Sequence, residues 1–218
     1  MLVSAEIRWF WPDSPPDGLE SWFRAGTFPP GGGNPPPRLD EYLVDPGQCE
    51  LGLKKRGEKK GIEVKGLVTT SVQPVQIGPI TARIQVWTKW TSESLRLDGM
   101  TTVGTYKLRW LRKFDTTGPT IRELVLGKDE ALVNKEDDLP AQGCNVELTI
   151  VSLKENGPKW WTLGYEAFGS IDSVKENLRR TIDHFVVTNV SPLHPGFEQS
   201  YPEWLSAQLS ANARQART

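Results

Sequence analysis

The sequence predicts a mainly β protein with a smaller helical part (α+β), in which helices pack outside one antiparallel β-barrel. Three observations lead to this fold class. Strand-like segments fill most of the chain, turn-forming residues separate them, and helical periodicity is found mainly near the end. Long strands followed by one or two helices are typical of a closed barrel or a sandwich with helices on its outer side.

Eight segments are enriched in β-branched or aromatic residues, alternate with a period of two, or show both features. They are residues 2–11, 50–56, 61–69, 79–90, 103–113, 120–126, 143–153 and 159–168. Between the last two, Asn156 and Gly157 form a pair that favours a β-hairpin.

Helical periodicity is clearest over residues 170–185, where Ile171, Val174, Leu178, Ile182 and Phe185 fall on one stripe. A second helix is expected to begin near residue 201 or 202, and a short one around residues 19–23. Residues 27–37 are rich in Pro and Gly, which indicates an exposed loop. We therefore predict one barrel domain over residues 1–190, followed by a C-terminal helix and polar tail over residues 191–218.

Composition argues against several classes of protein. The formal net charge is −1 and the pI is near 6.2, so general nucleic-acid binding is not expected. No apolar run approaches the roughly 18 residues needed to cross a bilayer. Glu6 and Arg8 interrupt the apolar N-terminal stretch, which argues against a signal peptide. Cys49 and Cys144 are far apart and suit reduced, buried thiols, so we expect a cytoplasmic protein that does not bind membranes.

Charged residues alternate with apolar residues along most of the predicted strands, which gives each strand one charged face and one apolar face. One interpretation exposes the charged faces to water, as in a one-sided antiparallel sheet. The other turns them into the lumen of a wide barrel, with the apolar faces on the outside beneath the helices.

Two observations favour the second interpretation. The charged faces carry more bases than acids, and such a surplus calls for an anionic partner. The apolar stripe of the 170–185 helix also supplies an outer cover. The basic residues are Arg8, Lys54, Arg56, Lys65, Arg83, Lys89, Lys107 and Arg109, and the acids are Glu6, Glu63, Glu147 and Glu166.

Five segments share a pattern with a known superfamily: RLDEYLVDP at 38–46, ELGLKKRG at 50–57, GIEVKG at 61–66, YKLR at 106–109 and NVELT at 145–149. Through them, over roughly residues 4–185, the chain resembles the CYTH, or triphosphate tunnel metalloenzyme, superfamily. That superfamily folds as an eight-stranded antiparallel tunnel. It hydrolyses or cyclises triphosphate-bearing substrates with Mg²⁺ or Mn²⁺.

The resemblance implies roles for the inward charges. Lys54, Lys65, Arg83, Lys107 and Arg109 would hold phosphate oxygens, since Lys and Arg neutralise phosphate and Arg adds paired donors. Glu6 and Glu147 would hold the metal, because hard divalent cations prefer oxygen ligands. By position, we extend the phosphate role to Arg8, Arg56 and Lys89 and the metal role to Glu63 and Glu166.

The first strand departs from the superfamily's E-x-E-x-K pattern. Arg8 stands where the pattern has its second glutamate, and Phe10 stands where it has the lysine. Because phosphoryl transfer in such a site depends on metal charge, the sequence favours binding of a polyphosphate or nucleotide-like small anion over metal-dependent triphosphatase activity. Arg8 is itself a candidate substitute for one metal's charge.

The alternative hypothesis is a non-catalytic barrel that binds a small organic ligand or a protein partner. The chain contains nine tryptophans, and most of them are expected to pack against the helices. Trp87 and Trp90 could instead stack on a nucleobase. His184 and His194 have no nearby acid or cysteine in the sequence to suggest a metal or catalytic role.

Overall fold

Eight antiparallel strands close into a barrel in the computed structural model, which describes residues 1–26, 36–44, 47–71, 73–77, 80–127, 130–133, 138–153, 157–187 and 196–215. The strands are β1 (Leu2–Pro12), β2 (Arg38–Leu43), β3 (Leu51–Arg56), β4 (Ile62–Thr70), β5 (Val75–Ile77), β6 (Ile80–Ala82), β7 (Gln85–Ser92), β8 (Thr102–Asp115), β9 (Arg122–Leu124), β10 (Gly143–Ser152), β11 (Trp160–Gly169) and β12 (Phe197–Glu198). The helices are α1 (Leu19–Arg24), α2 (Val174–Val187) and α3 (Tyr201–Gln215).

The barrel follows the order β10-β11-β1-β7-β4-β3-β2-β8, and pairing of β8 with β10 closes the ring. The remaining strands are additions to this ring. β9 pairs with the far end of β8, β12 pairs with β1, and β5 and β6 form a separate two-stranded sheet. The predicted antiparallel barrel with helices outside is therefore confirmed.

The outer, apolar faces of the strands are buried by helices. Along α2, Val174, Leu178, Ile182 and Phe185 are buried against apolar residues of β1, β10 and β11. Helix α1 adds Trp22, whose ring lies 5.1 Å from that of Phe185. The helical stripe thus covers the barrel as predicted, except that Ile171 precedes α2 and is exposed.

Helix α3 packs at one end of the barrel rather than along its outer wall. Its Trp204 and Leu205 form a second apolar cluster with Phe10, Tyr42 and Val151. Phe10 lies on the inward face of β1, and its ring stacks on Trp204 at 5.0 Å with an interplanar angle of 4°. One end of the barrel interior is therefore filled by aromatic and aliphatic side chains.

The strand predictions differ from the structure in several places. The very short strands β5 and β12 lie outside the eight predicted segments. The short strand β2 was not predicted, because it offers few apolar residues to reveal its alternation. The 79–90 segment divides into β6 and β7, and the 120–126 segment supplies only the short β9 outside the ring. The predicted loop over 27–37 and the turn at 156–157 fall largely outside the described residues.

Two further features concern the helices and the cysteines. In the described part of the chain, no helix has the length and apolar character needed to span a membrane. Cys49 and Cys144 are both free thiols, as expected, but only Cys144 is buried, whereas Cys49 is partly exposed. Burial raises the pKa of the Cys144 thiol, so this side chain is an unreactive part of the core.

Candidate functional site

A cavity of about 90 Å³ lies inside the barrel, and each of the eight ring strands contributes to its wall. Alternation turns every second side chain of a strand inward, so charged residues that are distant in sequence meet there. The lining residues are Glu6, Arg8, Arg38, Tyr42, Gly52, Lys54, Arg56, Glu63, Lys65, Lys89, Lys107, Arg109, Glu147, Glu166, Tyr201 and Pro202.

The structure brings together most of the side chains that the sequence singled out. All four glutamates and seven of the eight basic residues line the cavity. Arg83 is the exception and corrects the sequence-based placement. It lies in the break between β6 and β7, its side chain is 45% exposed, and it pairs with Glu198 at 3.5 Å.

Sequence reasoning missed Arg38, Tyr42 and Tyr201 as part of the cavity wall. Arg38, Asp40 and Tyr42 share one face of β2, so the period of two was present but confined to a short segment. Tyr201 comes from α3, whose docking position cannot be derived from periodicity within one helix.

Glu147 lies between two guanidinium groups. Its Oε2 accepts a hydrogen bond from Nη2 of Arg8 at 2.8 Å, and its Oε1 accepts one from Nη1 of Arg109 at 2.7 Å. Burial alone would raise the pKa of Glu147, but the charges of Arg109 and Arg8 lower it well below the usual range. Glu147 is therefore a fixed anion with both oxygens occupied.

Two lysine–glutamate pairs connect the four consecutive strands β11, β1, β7 and β4, and each pair reaches across one strand. Lys65 Nζ donates to Glu6 Oε2 at 2.5 Å, and Lys89 Nζ donates to Glu166 Oε1 at 2.6 Å. Glu6 and Glu166 are direct cross-strand partners on β1 and β11. Burial opposes ionisation of Glu166, yet Lys89 lowers the pKa of this carboxyl to about 2. Both lysine ammonium groups are thus held close together in the cavity wall.

The β3 and β4 strands supply a third group of charges. Lys54 Nζ lies 3.0 Å from Glu63 Oε2, and Arg56 Nη1 lies 3.7 Å from Glu63 Oε1. Arg56 also approaches Glu130, which in turn pairs with Arg109. Glu63 and Glu130 therefore each pair with two bases.

Lys107 is buried beside Asp40 and two tyrosines. Its Nζ lies 3.2 Å from Asp40 Oδ2, donates to the hydroxyl of Tyr42 at 2.6 Å, and lies 4.0 Å from the ring centre of Tyr201. Burial lowers the pKa of the Lys107 amine, although Asp40 opposes that shift. Asp40 also pairs with Arg38 at 2.8 Å, so this carboxylate is shared as well.

Positive charge exceeds negative charge in the cavity wall, where eight basic side chains face four glutamates. Asp40 and Glu130 also pair with lining bases, which brings the carboxylates to six. Asp40, Glu63, Glu130 and Glu147 each contact two bases. Bases therefore outnumber carboxylates by eight to six among the described residues in and beside the wall. Burial lowers the pKa values of Lys54 and Lys107, so the positive surplus near neutral pH is at most two charges.

The four glutamates proposed as metal ligands do not fit that role in this arrangement. Within the described ranges, no group of three or more His, Cys, Asp or Glu side chains is placed to hold a metal ion. The physical reason is that every one of these carboxylates is bound to a lysine or an arginine. A divalent cation would have to displace these bases before it could gather oxygen ligands.

Neither tryptophan proposed for base stacking lines the cavity. Trp87 is fully buried, with Lys65 Nζ 4.8 Å from its ring centre, and Trp90 is 42% exposed. His184 belongs to α2, with its ring centre 6.3 Å from that of Phe114, and His194 falls outside the described residues.

Comparison with known proteins gives no family. No protein-family model matches the chain, and no curated protein matches it significantly. The resemblance to the CYTH superfamily therefore remains a prediction from the sequence.

Proposed function

We propose that the chain binds a polyphosphate or nucleotide-like small anion inside the barrel, as a divergent CYTH-like tunnel protein. The observation that carries this proposal is the cavity wall of eight basic and four acidic side chains. An enclosed wall with such a surplus concentrates positive potential, because the surrounding protein screens it less than water would.

The donors suit phosphate oxygens in particular. Arg56 and Arg109 present planar groups of N–H donors, while Lys54, Lys65 and Lys89 supply compact charges on adjacent strands. A ligand with several anionic oxygens could bind several of these groups at once. The ligand would compete with the carboxylates that already pair with these bases. Binding is therefore driven by the excess of basic over acidic side chains and not by the number of basic side chains alone.

Binding is better supported than hydrolysis. The glutamates that would hold Mg²⁺ or Mn²⁺ are already paired with bases, and metal-assisted phosphoryl transfer needs such oxygens to be available. We therefore propose a binding protein, with metal-dependent triphosphatase activity as the reaction to assay. We also propose a cytoplasmic location, which the free thiols of Cys49 and Cys144 support.

The direct test is thermal stabilisation by inorganic triphosphate and pyrophosphate at millimolar concentration, because a ligand that binds only the folded state raises the midpoint. We expect stabilisation that increases with ligand charge and weakens at high salt. A barrel for an uncharged organic ligand or a protein partner would show no such response, and its absence would contradict the proposal. Phosphate release with Mg²⁺ or Mn²⁺ tests hydrolysis separately.

A further inference from the structure

We propose that Arg8 is a built-in cation that takes the place of a divalent metal, so that the cavity binds its anion without any metal ion. This inference rests on the proposed function and adds a specific role for one residue. The inference concerns how the site neutralises the charge of its carboxylates. It can be tested separately from the question of whether an anion binds.

The first observation is the set of contacts around the guanidinium. Arg8 is 8% exposed, and its Nη2 pairs with Glu147 while its Nη1 donates to the hydroxyl of Thr162 at 3.2 Å. Its Cζ lies 4.8 Å from the ring centre of Tyr201. A carboxylate, a hydroxyl and an aromatic face thus hold one positive charge at a fixed place in the wall.

The second observation is the space that the backbone leaves for this group. Gly164 on β11 is the cross-strand partner of both Arg8 on β1 and Glu147 on β10. A Cβ at Gly164 would lie only 2.4 Å from Arg8 Cζ. Glycine at this position therefore permits the guanidinium to lie across β11 and reach the carboxylate on the next strand.

The third observation is the position of the acids. Glu6, Glu147 and Glu166 belong to the adjacent strands β1, β10 and β11 and all face inward, as ligands for a divalent cation would have to do. Arg8 occupies one oxygen of Glu147 and Arg109 occupies the other. Lys65 and Lys89 hold Glu6 and Glu166 in the same way.

These contacts mean that the protein neutralises its own carboxylates with its own bases. A metal entering between these strands would leave two or more buried bases without partners, which is costly in a low-dielectric interior. Arg8 is the one basic residue on β1, β10 and β11, and it is buried against Glu147, so its charge is the one that a metal would have to replace.

The experiment is calorimetric titration of inorganic triphosphate into the full chain in EDTA, with wild type, Arg8→Gln, Arg8→Lys and Arg83→Gln compared. We expect wild type to bind in EDTA and Arg8→Gln to lose roughly tenfold or more in affinity, the loss expected for a charge-assisted contact. Arg8→Lys keeps the charge and should retain most of the binding. Arg83→Gln, outside the cavity, is the matched control and should bind as wild type does.

Mn²⁺ binding followed by electron paramagnetic resonance, without added anion, completes the test. We expect no tight Mn²⁺ site in wild type. Triphosphate binding that requires Mn²⁺, or Arg8→Gln binding as tightly as wild type in EDTA, would overturn the inference and leave anion binding intact. If triphosphate binds neither with Mn²⁺ nor without it, the proposed function itself fails.

Discussion

At the scale of single residues, the cavity is organised by carboxylates that each hold two bases. Glu147 is the clearest example, since one of its oxygens accepts a hydrogen bond from the buried guanidinium of Arg8 and the other from the partly buried guanidinium of Arg109. Such a carboxylate keeps the bases in place and lowers their repulsion before a ligand arrives. It also competes with the ligand for the same donors, so it limits affinity while it protects the fold.

Replacing Glu147 should separate these two effects. Glu147→Gln leaves Arg8 and Arg109 without their shared anion, and we expect a loss of about 3–5 kcal/mol in unfolding free energy near neutral pH. Triphosphate should then stabilise this variant more than it stabilises wild type, because the donors are no longer occupied. Urea unfolding with and without triphosphate measures both quantities. A variant that is as stable as wild type would contradict the role given to Glu147.

Removing one base tests the donors themselves. Arg109→Ala and Lys65→Ala should each weaken triphosphate binding by roughly 1–3 kcal/mol, the range for a charge-assisted hydrogen bond. Calorimetric titration measures the change, and Arg83→Ala serves as the control outside the cavity. If neither substitution alters the affinity, these two side chains do not contact the ligand.

The glycine opposite Arg8 offers an independent test of the geometry. In Gly164→Ala, the added methyl group would meet the guanidinium of Arg8, so the ion pair with Glu147 must shift. We expect a loss of about 1–3 kcal/mol in stability, as for other overpacked interiors, together with weaker triphosphate binding in EDTA. Chemical denaturation measures the first effect. Unchanged stability and affinity would show that the guanidinium does not need this space.

At the scale of elements, α3 differs from α1 and α2 because it closes one end of the barrel interior. Trp204 is fully buried, and stacks on Phe10 of β1. The same helix supplies Tyr201, which faces Arg8 and Lys107 in the cavity. The apolar end and the charged cavity are therefore continuous, and the position of α3 affects both.

Truncating Trp204, the central side chain at the apolar end of the barrel, should lower the stability of the fold. Trp204→Ala removes a large buried ring, and we expect a loss of about 3–5 kcal/mol in unfolding free energy. Asn212→Ala, at an exposed position of the same helix, should change stability by less than about 0.5 kcal/mol. Thermal and urea unfolding provide the comparison. Equal effects of the two substitutions would show that α3 does not pack as described.

At the scale of the whole molecule, a nearly neutral chain carries a positive interior. The net charge is −1, although the cavity wall contains twice as many bases as acids, so the remainder of the molecule is negative. Local sign rather than total charge therefore decides which ligands are attracted.

These ion pairs predict how the free energy of unfolding depends on pH. Burial would raise the pKa values of Glu147 and Glu166, but neighbouring bases lower both below the values of an unfolded chain. Their stabilising contribution is complete above about pH 5 and is lost as the pH falls through the lowered folded-state values, about 2 for Glu166. Urea midpoints measured from pH 7 to pH 3 should therefore fall steeply below pH 5. A flat profile would contradict the ion pairs.

The sequence predicted the barrel and most of the cavity because a period of two identifies both faces of a strand. The same period misplaced Arg83, because the strand is interrupted there, and it did not reveal β2, because that segment is too short to show the pattern. The partners of each charge could not be predicted. Glu147 meets Arg8 and Arg109 because of the pairing register between β10 and its neighbours, which no local pattern encodes.

The most direct measurement is a crystal structure of the protein grown with inorganic triphosphate and without divalent metal. We expect the anion inside the barrel, with its oxygens within hydrogen-bond distance of several of the bases that line the cavity, including Lys65, Lys89 and Arg109. Triphosphate bound solely on the outer surface, with the cavity ion pairs unchanged, would contradict the account.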